Sequence, residues 1–244
     1  MNNSDFNIQP VFLGDGPMGS LVSQFDPLTL NFYNHAVEYY TNTALAEQGF
    51  RSLGSSRHDA AAHEAGHAVW YAANGITVTS IKVEPKPWPV PVPKELGKEY
   101  WTGLTVTNEP LIAFGLSSSV DELIQIAQSF IAGGAGELLL RGDKFRKGSA
   151  ADERAMAQVL YAMVDAKRVA EGSIDFSMLD LNAVFECIGQ AQMIAMSGVF
   201  KVMVSNKPTL NRVSAALLRH DQIDRDLASE LLKGVKQVTC AVTA

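Results

Sequence analysis

The chain has 244 residues, of which 47% are hydrophobic, and it carries a formal net charge of −6. This hydrophobic content supplies enough apolar surface for a folded core and excludes wholesale disorder. The negative charge argues against a nucleic-acid-binding protein, which normally presents a basic face. Met1–Pro10 lacks the basic start and apolar stretch of a signal peptide. No run of the sequence approaches the roughly 20 apolar residues of a membrane span. We therefore expect a cytoplasmic protein without a membrane span.

An N-terminal arm is the first predicted element. Residues 1–24 are rich in Asn, Gly, Ser and Pro and show little periodicity, which is typical of a loosely held segment. Thr29–Gly49 has apolar residues at helical spacing. We therefore separate residues 1–49, an arm followed by a helix, from a second unit over residues 50–240.

The next predicted helix carries three of the five histidines of the chain. Ser56 and Asp59 have the spacing of a capping box, in which each residue binds the other's backbone N–H group. Asn74-Gly75 is a typical helix end, since both residues tolerate the left-handed conformation there.

Two strands are predicted after this helix, over Thr77–Val83 and Trp101–Thr107. Five prolines lie between them, from Pro85 to Pro93. Proline lacks a backbone donor, so this segment is expected to be extended and unable to pair as a central strand.

The remaining sequence predicts helices. The first follows a capping box at Ser119–Glu122, contains Gly133, Gly134 and Gly136, and ends at Gly142. Each glycine costs a helix roughly 1 kcal/mol relative to alanine, so we expect another backbone to pack very close to them. Further helices are predicted over Ser149–Ala170, Leu179–Ser205, Thr209–Arg219 and Asp224–Val238. The fold is therefore expected to be mainly α, with a small two- to three-stranded β element beside the histidine helix.

His63-Glu64-Ala65-Gly66-His67 fits the pattern H-E-x-x-H. Residues four apart lie on one face of a helix, so both imidazoles can reach one zinc ion. Glu64 is the expected catalytic base, because it lies beside the first ligand, where it can accept a proton from the attacking water. His58, one turn earlier, is expected to be a surface or capping residue.

A catalytic zinc site needs a third protein ligand and leaves one position for water. No histidine follows at the spacing of the longer pattern H-E-x-x-H-x-x-G-x-x-H, which excludes the metzincin class. The third ligand is therefore expected to be an acidic residue elsewhere in the chain.

The stretch H-E-A-G-H-A at residues 63–68 resembles the motif of the peptidase domain of FtsH-type ATP-dependent zinc proteases. Ala132–Glu137 is similar to that family's G-G-R-A-A-E-E stretch, although Gly134 stands where the family has Arg. Lys147–Asp152 is similar to its T-G-A-S-N-D segment. The resemblance covers about residues 50–236 in the same order.

This resemblance implies a helical zinc-peptidase domain in which Asp152 is the third metal ligand, with Glu137 and Glu153 as rivals. Asp152 can alternatively close a capping box with Ser149. Glu137 is expected to support a ligating histidine, since such histidines usually donate their other nitrogen to a carboxylate or carbonyl group. The alternative is that Glu137 is a buried carboxylate with no role at the metal site.

The family's ATPase module has no counterpart here, because the sequence contains no G-x-x-x-x-G-K-[ST] phosphate loop. We therefore expect an ATP-independent zinc metallopeptidase acting on unfolded or flexible polypeptides, or on chains that a separate ATPase or unfoldase supplies. The sequence predicts no particular oligomeric state. The alternatives are a catalytically inactive binding or scaffold protein that keeps the fold, and a helical protein with a coincidental motif.

Overall fold

The helix that carries the H-E-x-x-H motif begins at the predicted capping box. The computed structural model describes residues 56–87, 99–108, 120–142 and 195–237, and the first helix, α1, spans Arg57–Ala73. The Ser56 hydroxyl accepts the Asp59 N–H at 3.3 Å, and the Asp59 carboxylate accepts the Ser56 N–H at 2.9 Å. Two backbone donors that a helix start leaves without partners are thereby satisfied. The helix ends as predicted, with Gly75 at a φ of 76°.

A small antiparallel sheet lies against α1. Its strands are β1 (Val78–Pro87), β2 (Glu99–Thr107) and β3 (Gln222–Ile223). Their order is β2-β1-β3, so β1 is central and β2 is an outer strand of the described sheet. The predicted strands are both present, each longer than expected, and the third strand has only two residues.

The prolines at the end of β1 are extended, as predicted, and they pair on one side only. Pro85 lies opposite Trp101 and Pro87 opposite Glu99. The N–H of Val83 donates to a carbonyl next to β3, away from β2. Because N–H directions alternate along a strand, residues 85 and 87 would also direct a donor away from β2. The missing donors therefore cost the β1–β2 ladder nothing. Residues 88–93 lie outside the described residues.

The second helix, α2, spans Val120–Arg141 and crosses α1 at glycines. A Cβ at Gly66 would lie 2.2 Å from a backbone oxygen of α2, and a Cβ at Gly136 would lie 2.6 Å from a backbone oxygen of α1. The expected close approach of another backbone is thus confirmed at Gly136. The helix ends at Gly142, which has a φ of 55°. Ser119, the start of the predicted capping box, lies outside the described residues.

The C-terminal part of the described chain is helical. Residues 195–205 are helical, and α3 (Lys207–His220) and α4 (Arg225–Leu232) follow. The predicted extension of the last helix to residue 238 is wrong. Gly234 has a φ of 81°, and the Lys236 N–H donates to the Asn206 side chain at 2.7 Å, so the chain turns back instead. The predicted elements over residues 1–49, 149–170 and 179–194 lie outside the described residues.

One apolar core joins these elements and positions α1 between α2, α3 and the sheet. The fold is mainly helical with a three-stranded antiparallel sheet, as the sequence predicted. No helix in the described stretches has the length and apolar character that crossing a membrane requires. The largest fully buried apolar side chains are those of Trp70, Ile81, Met196, Phe200, Met203, Leu210, Leu217 and Ile223.

Candidate metal centre

The two histidines of the motif lie on one face of α1 and point at the same space. Both are buried, with 7% of His63 and 9% of His67 exposed, and their Nε2 atoms are 3.0 Å apart. Two imidazole nitrogens bound tetrahedrally to one zinc ion, each at its usual bond length, are separated by roughly 3.3 Å. The observed separation is therefore close to the one that a shared metal ion needs.

The outer nitrogen of each ring is held by an oxygen atom. Nδ1 of His67 lies 2.9 Å from the backbone oxygen of Ser129. A carbonyl oxygen only accepts, so Nδ1 carries the proton and Nε2 of neutral His67 carries a lone pair. Nδ1 of His63 lies 2.8 Å from Oε1 of Glu137, whose carboxylate form accepts the ring proton in the same way. With each outer nitrogen donating to oxygen, Nε2 of each ring is the nitrogen that can ligate a metal ion.

Glu137 lies behind His63 and is almost fully buried, with 1% exposed. Burial raises the pKa of this carboxyl group to about 7, against the opposing effect of its hydrogen bond with His63. Its carboxylate binds Nδ1, on the opposite side of the ring from Nε2. Glu137 is therefore placed to orient His63, and not to share an ion with the two Nε2 atoms.

Gly133 of α2 leaves room beside the two nitrogens. A Cβ at this position would lie 2.4 Å from Nε2 of His63 and 2.6 Å from Nε2 of His67. Any side chain at residue 133 would therefore collide with both rings. Glycine at residue 133 therefore allows α2 to lie this close to the two Nε2 atoms.

Glu64 lies between α1 and β2 and is also buried, with 5% exposed. The hydroxyl of Thr105 donates to Oε2 of Glu64 at 2.7 Å. A Cβ at Gly103 would lie 2.2 Å from Cγ of Glu64, so the glutamate packs directly against the strand backbone. The sequence predicted no role at the site for Thr105 or Ser129. Thr105 lies two residues after Gly103 on a predicted strand, and this spacing indicates that both face the same side. The backbone oxygen of Ser129 has no sequence signal, because every residue carries one.

The structure thus brings together His63, His67, Glu64 and Glu137. Asp152 and its rival Glu153 lie outside the described residues. Within the described stretches, no third His, Cys, Asp or Glu joins the two histidines in a metal-binding cluster. His58 is exposed, which confirms the expectation of a surface residue.

Comparison with protein-family models and with curated proteins gave no match to this chain.

Proposed function

We propose that this chain is a zinc-dependent metallopeptidase, similar to FtsH-type peptidase domains, that hydrolyses peptide bonds of unfolded or flexible polypeptides. One observation carries the proposal. The Nε2 atoms of His63 and His67 lie 3.0 Å apart, while both Nδ1 atoms are held by oxygen acceptors. Two imidazoles held in this way offer a zinc ion two nitrogen ligands at one point, as the H-E-x-x-H motif predicts.

The residues fit a zinc ion. Zinc prefers neutral imidazole nitrogens, and its histidine ligands usually donate the other ring nitrogen to a carboxylate or a backbone carbonyl. His63 and His67 would hold the ion, and we propose Asp152 as the third ligand on the resemblance of its segment. When bound, zinc polarises the substrate carbonyl and lowers the pKa of water towards 7.

Glu64 is the group that moves the proton. It directly follows His63 on α1, and its carboxylate is removed from bulk solvent. A carboxylate in this position accepts a proton from the attacking water and passes it to the leaving amine. Both transfers occur over a short path because Glu64 stays beside the same metal ligand throughout.

The substrate is a polypeptide in extended form. β2 is the outer strand of the described sheet and lies against Glu64. Extended peptides commonly bind by adding a strand to such an edge. Folded proteins offer no free extended segment, so the substrate is unfolded or flexible, or is supplied in the cytoplasm by a separate unfoldase.

The variant Glu64→Gln tests this proposal. It keeps the shape of the side chain and removes its ability to accept a proton, so hydrolysis of an unfolded protein should fall by roughly 10²- to 10⁴-fold. Zinc content should stay at the wild-type value, since Glu64 is not a proposed ligand. Glu84→Gln, an identical change on β1 away from the centre, should be as active as the wild type. A zinc-loaded wild type that hydrolyses no faster than Glu64→Gln would favour the inactive scaffold instead.

A further inference from the structure

A hydroxyl group on the neighbouring strand binds the carboxylate of Glu64. Oγ1 of Thr105 lies 2.7 Å from Oε2 of Glu64 and 3.3 Å from its backbone oxygen. The hydroxyl has one proton, and the shorter contact, to a charged acceptor, is the stronger hydrogen bond. Oε2 is therefore held by Thr105, and Oε1 is the oxygen that Thr105 leaves available.

The same strand also supports the stem of the glutamate. Gly103 lies two residues before Thr105, so both face α1. An added Cβ at Gly103 would lie 2.2 Å from Cγ and 2.6 Å from Oε1 of Glu64. Only glycine fits at residue 103, because any larger side chain would collide with Glu64.

The position of this strand is fixed by the core. Gly103 pairs with Val83 and Thr105 pairs with Ile81 on β1. Val83 is 1% exposed and Ile81 is fully buried. A shift of β2 relative to Glu64 would therefore require a change of register against a strand that the core holds in place.

We infer that Thr105 is a positioning residue, which holds Oε2 of Glu64 and so leaves Oε1 as the oxygen that accepts the proton. This inference rests on the proposed peptidase function. A glutamate side chain otherwise samples several rotamers, and fixing it in one removes that entropy cost from the proton-transfer step. Gly103 makes the arrangement possible because it lets the glutamate lie against the strand.

The test compares three variants of the full chain in hydrolysis of an unfolded protein, with zinc content and melting temperature measured in parallel. Thr105→Val removes the hydroxyl and keeps the branched shape. A lost hydrogen bond to a charged group should lower kcat by roughly 10- to 100-fold, with KM unchanged. Thr105→Ser restores a hydroxyl and should recover most of kcat. Thr79→Val, the same change on β1, removes only an exposed hydrogen bond to the backbone oxygen of Val106 and should behave as the wild type.

Wild-type kcat in Thr105→Val would overturn the inference and leave the proposed function intact. A fall in zinc content or melting temperature that matches the fall in kcat, without recovery in Thr105→Ser, would also overturn it, since the residue would then be structural. A zinc-loaded wild type no more active than Glu64→Gln would overturn the proposed function and this inference together.

Discussion

Each imidazole of the centre is fixed at its outer nitrogen by a different kind of acceptor. Glu137 binds His63 through a side chain, whereas Ser129 binds His67 through its backbone oxygen. The first acceptor can be removed by substitution and the second cannot. Both acceptors lie on α2, so this helix sets the direction in which both Nε2 atoms point.

Gly133→Ala is predicted to abolish or strongly weaken zinc binding. The new Cβ would lie within 2.6 Å of Nε2 of both histidines, and the rings cannot move away without losing their contacts to α2. Alanine is the better helix former by about 1 kcal/mol, so a failure of α2 to form is not the expected cause. The measurement is zinc per chain by mass spectrometry, with Gln125→Ala, a change at an exposed position of the same helix, as the control. Normal zinc in Gly133→Ala would show that the ion binds elsewhere.

The sequence predicted part of this residue-scale picture. The spacing of His63 and His67 predicted a shared helix face, and the structure shows it. The hydrogen bond from Thr105 was not predicted, because it depends on how β2 packs on α1 and not on local spacing. The acceptor at Ser129 belongs to the backbone, which every residue has, so no residue type could indicate it.

The candidate metal centre is built where α1 and α2 cross. The two helices meet at Gly66 and Gly136, where backbone atoms are too close for any side chain. An ion pair between Arg141 and buried Asp59, 2.7 Å apart, joins the end of α2 to the start of α1. The crossing is thus fixed at its middle and at one end, which holds α2 at the distance that the two ring contacts require.

Gly136→Ala is predicted to destabilise the protein, because the new Cβ would lie 2.6 Å from a backbone oxygen of α1. Overpacking against a backbone typically costs about 1–3 kcal/mol, only partly offset by the better helix propensity of alanine. The free energy of unfolding, obtained from urea denaturation, should therefore fall. A variant as stable as the wild type would mean that the two backbones can separate at this crossing without cost.

Local sequence signals predicted which helices and strands form better than they predicted where each one begins and ends. The capping box at Ser56 and the stop at Gly75 gave both ends of α1. The last helix was predicted six residues too long, because its end depends on a tertiary contact between Lys236 and the side chain of Asn206. β3 was not predicted, since two residues carry no periodicity and acquire strand geometry only by pairing with β1.

At the scale of the whole molecule, the centre joins parts of the chain that are far apart in sequence. His63 and Glu137 are 74 residues apart, and Thr105 lies 41 residues from Glu64. Both contacts form only once α2 and the sheet have packed on α1. The mainly helical class could be predicted from periodicity, whereas these pairings could not, because they are set by packing. Folding and formation of the centre are therefore coupled, and an ion bound there would stabilise the folded chain.

The central claim is tested most directly by the zinc content of the untagged protein, purified without chelator, beside an Asp152→Ala variant. The account predicts about one zinc per chain in the wild type. It predicts that zinc is lost or bound much more weakly when Asp152 is replaced. An Asp152→Ala variant with wild-type zinc affinity would assign the third ligand to another residue. A wild type that takes up no zinc, even when zinc is added back, would contradict the metal centre and the peptidase function built on it.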